Sequence, residues 1–523
     1  MRIDKVHIKT QFKNLNDFEI DIAENAWETV LLGLNATGKS NFLEALVIIF
    51  RDLDLIYSFS SKAKYKGKQP FDYYIKYEIR GKDVEIKFEK GKYTFLVDGK
   101  SEKKFTKNIE QYLPKHIFIY YSGISDRLSH LYLTHQKKYY DEIIKPDAQQ
   151  THFDTMRRIF LAQNIHANFA LIAFFMFKDQ EEETLKFLSE ELKIKNFGSA
   201  LFILKEPQWS SKKNKNDNFW GAKGLVRGFL EDLLKFSFAP IHYKSRVDVS
   251  YKKAETQDRI YLFIKDKKTF KKLIKEKYKN KIELFNALES IHISDLLYDV
   301  KIKVEKENVN GELAMSELSE GEKQLLTVLG LLKFTKDDES LILLDEPDTH
   351  LNPVWKWKFL DYLDKVVKRK QSSQIIFCSH DPLVIGNLKK NQVQIFKWDK
   401  NENKTDVFNP IRDPKGLGVA GILTSDMFGM PTTLDSETQN LLDERNELLY
   451  KESENLLSKK EQLRLKEIYD ILNPAGFNQI FKDPLYTKFV IAYKKFINEQ
   501  KKETLPDEED SEALKIVREI LEK

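Results

Sequence analysis

Gly33-Leu34-Asn35-Ala36-Thr37-Gly38-Lys39-Ser40 is the stretch that decides the fold. It follows the short apolar run Thr29-Val30-Leu31-Leu32 and runs into a helix-like segment from Lys39 to Phe50. The pattern G-x-x-x-x-G-K-S between a strand and a helix is a P-loop. Its glycines let the backbone curl so that successive N–H groups surround phosphate oxygens, and the helix N-terminus adds its positive end. Gly33, Asn35, Ala36, Thr37, Gly38, Lys39, Ser40 and Asn41 are therefore the candidate nucleotide contacts. Lys39 is expected to reach the β- and γ-phosphates of ATP, and the Ser40 hydroxyl to ligate Mg²⁺.

Working outward, Ile3–Ile22 alternates apolar and polar residues in two short runs with a turn at Lys13-Asn14-Leu15-Asn16, which predicts two strands. Tyr73–Val97 alternates repeatedly with turns at Gly81 and Gly91, and Ile117–Tyr121 predicts another strand. From about Asp126 to Glu289 helical periods prevail, at 156–177, 181–192 and 225–236, and Ser210–Asn218 predicts a loop. From Leu318 helices and strands alternate: a helix through Leu332, a strand at Leu341–Leu344, a helix at Trp355–Val367 and a strand at Gln374–Cys378. That alternation predicts α/β architecture with a largely parallel sheet.

Three more motifs carry chemistry. Leu341-Ile342-Leu343-Leu344-Asp345-Glu346-Pro347 is an apolar strand that ejects two carboxylates at its end, where open α/β sheets build their sites. Asp345 is placed to hold Mg²⁺ through water, and Glu346 to orient or deprotonate an attacking water. Leu318-Ser319-Glu320-Gly321-Glu322-Lys323-Gln324 reads locally as a capped helix start. Ile375-Ile376-Phe377-Cys378-Ser379-His380-Asp381 is a strand ending in histidine, with Cys378 as a small buried residue.

In this order the four motifs resemble the ABC ATPase superfamily, over about the first 125 residues and from about Ser316 to Trp398. The resemblance implies an ABC-type head with an antiparallel β lobe. It also implies that Ser319, Gly321 and Glu322 of one chain meet the γ-phosphate held by another, and that His380 senses that phosphate. Met1-Arg2-Ile3 with Phe12-Lys13-Asn14-Leu15, and Asp345 to Pro353, resemble the RecF, SMC and OLD-like branch. Ser319 lies 280 positions after Lys39, longer than a transporter domain allows and too short for a long SMC arm. Tyr121-Ser122-Gly123 takes the Q-loop place by position. Two departures stand out: Ala36 replaces a glycine common in relatives, which fits if its φ is negative, and Asn352 stands where transporter relatives carry the D-loop aspartate.

After Trp398, Asp413, Asp426 and Asp435 lie on loop-like sequence, and no Asp-x-Asp ends an apolar strand, so the expectation is an ATPase without its own nuclease site. Leucine pairs at 441/442, 448/449 and 456/457, then Ser458-Lys459-Lys460-Glu461 as a capping box, predict a helical hairpin ending before Asn473-Pro474. Thr504–Asp510 reads as an acidic linker before a last short helix. ATPase and C-terminal hairpin, with Gly421–Gly429, resemble the PtuA family, the ATPases of Septu anti-phage systems also found with some retrons. That resemblance implies a homo-oligomer of at least a head-to-head dimer, a separate HNH nuclease subunit, and contact with DNA or retron nucleic acid. The competing reading is a RecF-like repair or recombination ATPase that binds DNA directly.

The expected organisation is head residues 1–125, a mainly helical insertion at 126–300, head residues 301–407 and a C-terminal helical unit at 408–523. Lysine plus arginine number 86 and aspartate plus glutamate 81, which excludes a histone-like polyanion binder but leaves room for a local basic patch such as Lys267–Lys281, where Phe270 and Tyr278 interleave. A single cysteine excludes a disulfide framework. The apolar run Ala167–Phe177 is too short to span a membrane. Without a signal-like start, the expected location is the cytoplasm.

Overall fold

The apolar strand ahead of the P-loop is buried along Thr29–Leu32, and its neighbours in space decide the fold. The computed structural model describes residues 1–58, 69–123, 127–153, 157–177, 182–211, 217–250, 253–275, 277–307, 309, 311–335, 339–367, 372–453, 455–474 and 477. The chain opens with the antiparallel pair β1 (Arg2–Ile8) and β2 (Phe18–Asp21), followed by β3 (Glu28–Gly33) and α1 (Lys39–Ser58). β4 (Tyr73–Ile79), β5 (Lys82–Glu89), β6 (Lys92–Val97) and β7 (Lys100–Ser101) return to β1 and make an antiparallel sheet of order β2-β1-β4-β5-β6-β7. The turns at Gly81 and Gly91 fall where the sequence places them, each with positive φ.

Next come β8 (His116–Tyr121), α2 (Ser129–Ile143), β9 (Ile159–Ala162), α3 (Asn164–Met176), α4 (Glu182–Glu191) and β10 (Ile194–Lys205). Then follow α5 (Gly224–Phe236), β11 (Ile241–Ser250), β12 (Lys253–Ile264), α6 (Lys267–Ile274) and α7 (Lys281–Ile293). β13 (Leu297–Lys306) and β14 (Glu312–Ala314) complete a second antiparallel sheet, β11-β12-β10-β13-β14. The head closes with α8 (Glu320–Thr335), β15 (Ser340–Asp345), α9 (Pro353–Val366), β16 (Gln374–Cys378), α10 (Pro382–Ile385), β17 (Val393–Asp399), β18 (Lys404–Phe408) and α11 (Gly418–Thr424).

The central sheet has the order β18-β17-β3-β16-β15-β8-β9 and is parallel except for β18. Strand alternation sends its side chains into two cores. Leu31, Ile119, Leu341, Leu343 and Ile376 pack toward the β1–β7 lobe and α1. Leu32, Phe118, Ile342, Leu344 and Phe377 pack with the long helices on the other face. The head is thus an α/β fold, a mainly parallel P-loop sheet with an antiparallel β lobe.

Three expectations change. Residues 126–300 are not a run of helices: β10, β11 and β12 cross them, and the edge strand β9 of the P-loop sheet comes from inside them. Arg259-Ile260-Tyr261-Leu262-Phe263-Ile264 is apolar at nearly every position, so periodicity cannot separate strand from helix there, and the partner β10 lies far away in sequence. The segment expected as one helix at 156–177 breaks at Gln163, whose extended backbone separates β9 from α3. The boundary expected at 408 moves. One compact unit holds Met1–Ile422 with Asp426–Phe428, and the other holds Leu423–Ser425 with Gly429–Lys523.

The second unit contains the expected hairpin, α12 (Ser436–Ser453) and α13 (Lys459–Leu472). Leu448, Leu465, Ile468 and Leu472 form its core. The Ser458 Oγ accepts from Glu461 N at 3.3 Å while the Glu461 carboxylate accepts from Ser458 N at 2.9 Å, the reciprocal capping box. Thr504–Asp510 and the expected last helix lie outside the described residues.

Because Leu343 is fully buried between parallel neighbours, Leu343→Ala should lower the unfolding free energy by about 2–5 kcal/mol, read from urea titration. A loss below about 1 kcal/mol would contradict a tightly packed sheet at this position.

Candidate ATP site

The P-loop is the turn between β3 and α1, and its glycines sit where side chains cannot. Gly33 has φ +143°, and a Cβ there would run into the Phe396 carbonyl oxygen of β17. At Gly38, φ +107°, a Cβ would lie 2.7 Å from Leu15 of the first hairpin. Ala36 also has a positive φ, +66°. The condition under which alanine was expected to fit is therefore not met, and the loop holds a strained left-handed alanine. The Asn14 amide donates to Ala36 O at 2.8 Å, and Thr405 Oγ donates to Thr37 O at 2.9 Å, so neighbouring strands tie the loop down on two sides.

Lys39 is folded into its own loop, where its ammonium donates to Gly33 O at 2.7 Å and Leu34 O at 2.9 Å. Burial holds its pKa below the usual lysine range, against the nearby Glu346 and Asp345 carboxylates that raise it. The loop carbonyls thus satisfy this buried ammonium.

β16 lies between β3 and β15 in the sheet, so the P-loop, Asp345-Glu346 and His380 emerge from three adjacent strand ends. Asp345 is buried, and its Oδ1 has no hydrogen-bond partner. Burial pushes its carboxyl pKa up, opposed by hydrogen bonds with Ser40 and Cys378. A buried carboxylate oxygen without a partner, beside the Ser40 hydroxyl, is a donor set that fits Mg²⁺. Glu346 adopts a left-handed backbone, φ +51°, a conformation that non-glycine residues hold at a cost of about 1–3 kcal/mol. Its Oε1 lies 3.0 Å from His380 Nε2, and that hydrogen bond keeps the carboxyl pKa below the usual range.

Ser319 caps α8. Its N–H donates to the Glu322 carboxylate at 2.9 Å and its hydroxyl accepts from Glu322 N at 3.3 Å. Burial pushes the Glu322 pKa up, but Lys306 at 2.6 Å and Ser319 prevail and hold it down. Gly321 packs closely on the loop between β15 and α9, since a Cβ there would lie 2.6 Å from His350 O. The next turn adds Gln324, which donates to Glu346 O at 3.2 Å and accepts from His350 N at 2.9 Å. This glutamine clamps α8 to the acidic loop, a role its place in the motif did not reveal.

Other partners also went unread. Glu44, one turn into α1, is buried and accepts from Lys13 at 2.5 Å and from Arg127 Nε at 2.6 Å, and Arg127 also donates to Asn41. The clue was Lys13-Asn14 in the opening turn, but Glu44 lies 31 positions from Lys13 and 83 from Arg127. Tyr121 lines one small cavity with Ser40, Arg127 and Asp345, and Ser122 N donates to Asp345 O at 3.2 Å. The segment chosen for the Q-loop by position thus sits against the acidic strand. Asn352 is the N-cap of α9, accepting from Trp355 N at 2.9 Å.

Asp413, Asp426 and Asp435 brace backbone: Asp413 accepts from Lys390 N, Asp426 from Ile411 N and Asp435 from Thr438 N. Among the described residues no helix is long and apolar enough to cross a membrane.

A P-loop between strand and helix, with the acidic pair and the histidine on adjacent strand ends, defines a P-loop ATPase. The family model described as an AAA ATPase domain matches residues 1–385, and the chain belongs to that family. It is similar to Septu protein PtuA of Bacillus mycoides (strain KBAB4), 25% identical over 158 residues, covering 28% of this chain and 22% of that protein. It is also similar to Septu protein PtuA of Bacillus thuringiensis, 30% identical over 202 residues, covering 33% of this chain and 48% of that protein. The matches therefore span less than half the length of these relatives. Among solved structures, the SMC head domain from Thermotoga maritima aligns with 14% identity and a TM-score of 0.32, covering 78% of this chain and 99% of that one. An SMC head domain from Pyrococcus furiosus, bound to the C-terminal domain of ScpA, aligns with 14% identity and a TM-score of 0.33, covering 78% and 96%. The chain is therefore an ATPase of that family, with local similarity to Septu protein PtuA.

Replacing the strained alanine should stabilise the loop: Ala36→Gly is expected to raise the unfolding free energy by about 0.5–1 kcal/mol in a nucleotide-free thermal melt. A lower Tm would show that the left-handed alanine carries no strain.

A second prediction concerns Asp348, which is buried and accepts from Ser379 Oγ at 2.8 Å. Burial pushes its pKa up to about 6. A folded-state pKa above the unfolded value means that its contribution is fully present below about pH 4 and is lost as pH rises through 6. Asp348→Asn, which keeps the acceptor and cannot ionise, should gain about 2 kcal/mol over wild type between pH 4 and pH 7. Parallel urea curves at the two pH values check this, and an unchanged difference would place the carboxyl in a solvated site.

Proposed function

We propose that this chain is the ATP-binding and hydrolysing subunit of a bacterial anti-phage defence complex that works in the cytoplasm. Two heads sandwich two ATP molecules, each between the Lys39 loop of one chain and the Ser319 signature of the other. The switch controls a separate HNH-type nuclease subunit. The observation that carries the chemistry is the convergence of Lys39, Ser40, Asp345, Glu346 and His380 at three adjacent strand ends. Similarity to Septu protein PtuA supports the defence role.

In this reading Lys39 leaves Gly33 O and Leu34 O and turns to the β- and γ-phosphates. Ser40 and Asp345 hold Mg²⁺, which when bound neutralises phosphate charge. Glu346, kept ionised by His380, takes a proton from the attacking water. His380 fixes the carboxylate's direction and lies where it can answer to the γ-phosphate. Ser319 and the start of α8 offer a hydroxyl and a helix dipole to the phosphate of the facing head.

Glu346→Gln keeps the shape and removes the base. It should slow ATP hydrolysis by about 10²-fold or more while retaining ATP and trapping a dimer, read by phosphate release and size-exclusion chromatography. Lys39→Ala should weaken nucleotide binding by at least about ten-fold, because a charge-assisted phosphate contact is lost. Wild-type turnover in Glu346→Gln would remove Glu346 from the mechanism. The complex itself is tested by co-purification with the products of neighbouring genes, with and without ATP. Recovery of an HNH protein supports the proposal. Its absence together with tight duplex-DNA binding would favour a repair or recombination ATPase.

A further inference from the structure

The basic run at Lys267–Lys281 presents no interleaved rings to a partner, because Phe270 and Tyr278 are buried. Another feature of the sequence that has no part in the function so far is the opening turn Phe12-Lys13-Asn14-Leu15. Phe12 and Leu15 exchange backbone hydrogen bonds of 2.7 and 2.9 Å, so Lys13 and Asn14 stand at the tip of a tight turn. That tip lies on the nucleotide loop. Asn14 Nδ2 donates to Ala36 O at 2.8 Å, and a Cβ on Gly38 would come within 3.1 Å of the same amide. Lys13 reaches Glu44 of α1 at 2.5 Å.

A chain of side chains aims the Asn14 amide and allows it one polarity. Arg127 has only donors to offer, and it gives one to Asn41 Oδ1 and another to Glu44 at 2.6 Å. Asn41 must then turn its Nδ2 to Asn14 Oδ1. Asn14 is left with its own Nδ2 for a carbonyl, and that carbonyl is Ala36 O. Glu44 closes the circuit by accepting from Lys13, the residue before Asn14. The side chain of Asn41, a candidate phosphate contact by sequence, is thereby engaged inside this circuit.

The held carbonyl belongs to a residue that resists its conformation. Thr37 N donates to Leu34 O at 3.4 Å and closes a four-residue turn, with Ala36 in third place at φ +66°. Positive φ in that place suits glycine, and alanine favours the form with negative φ. Passing from one form to the other rotates the peptide planes beside Ala36 and re-aims the N–H groups that line the loop. We propose, on the reading of this loop as an ATP site, that Asn14 is a positioning residue for nucleotide binding: it holds the Ala36 carbonyl and so keeps the loop preset for phosphate before a nucleotide arrives. Bound ATP supplies contacts of its own, so the clamp governs affinity and leaves the hydrolysis step alone. A loop that is preset only about a tenth of the time without Asn14 raises the apparent Kd about ten-fold.

The test uses the full chain, isothermal titration calorimetry with a non-hydrolysable ATP analogue and Mg²⁺, and phosphate release at saturating ATP. Asn14 is half-buried in a surface turn, so Asn14→Ala leaves the core packing in place. It should raise the Kd about ten-fold and keep turnover at saturating ATP within about two-fold of wild type. Glycine reaches positive φ unaided, so in an Ala36→Gly background the same Asn14→Ala change should weaken binding by less than about three-fold, measured against Ala36→Gly alone. An asparagine with only a structural part would show the same loss in both backgrounds. Wild-type affinity in Asn14→Ala, an equal loss in the Ala36→Gly background, or a turnover that falls as far as affinity would each overturn the proposal. A wild-type chain that binds no analogue would remove the ATP site and the proposal with it, a result told apart because parent and variants are then alike.

Discussion

The parallel sheet buried on both faces is the constraint on which the rest of the head depends. Its strands β3, β15 and β16 have no polar side chain facing solvent along their length, so charge can leave the core only where a strand ends. Parallel pairing aligns those ends on one edge. Asp345 pairs with Cys378 and with Tyr121, and Cys378 with Leu31, so the acidic pair, the switch strand and the P-loop strand terminate together. The site is the place where a two-sided hydrophobic sheet must return its backbone to polar surroundings.

That edge holds charge at a cost, and the costs are visible. Lys39 and Asp345 are both buried, and burial drives the ammonium pKa down and the carboxyl pKa up. Ala36 and Glu346 hold left-handed backbones that glycine would hold with less strain. Such departures cluster where the surrounding structure over-determines the conformation. Here the clamps are named: Asn14 and Thr405 on the loop, Gln324 on the acidic turn, and Glu44 with Arg127 behind the helix. Gln324 ties the first turns of α8 to the backbone carbonyl of Glu346 and to His350 N.

Much of the head was legible because its signals are local. A strand, a glycine turn and a helix lie within about 20 positions at the P-loop, and the acidic and histidine strands are equally compact. The capping boxes at Ser319 and Ser458 are likewise spelled by residues three apart, and both form. The middle of the chain resisted for the opposite reason. β10 pairs with β12 and β13, about 60 and 100 positions on, and its apolar run fits a helix or a buried strand equally well.

By itself the sequence marked the candidate side chains: a lysine and serine at a glycine turn, two acids and a histidine after apolar strands, and a capped helix start. Residue type and short spacing carry that information, because phosphate and metal binding need particular donors at particular steps of one local turn. Tertiary structure decided what those residues touch. It buried Asp345 with an unpaired oxygen, turned Ala36 left-handed and moved Phe270 and Tyr278 into the core. Those outcomes depend on contacts between segments tens to hundreds of positions apart, and the side-chain pattern of one segment does not encode its partner's register.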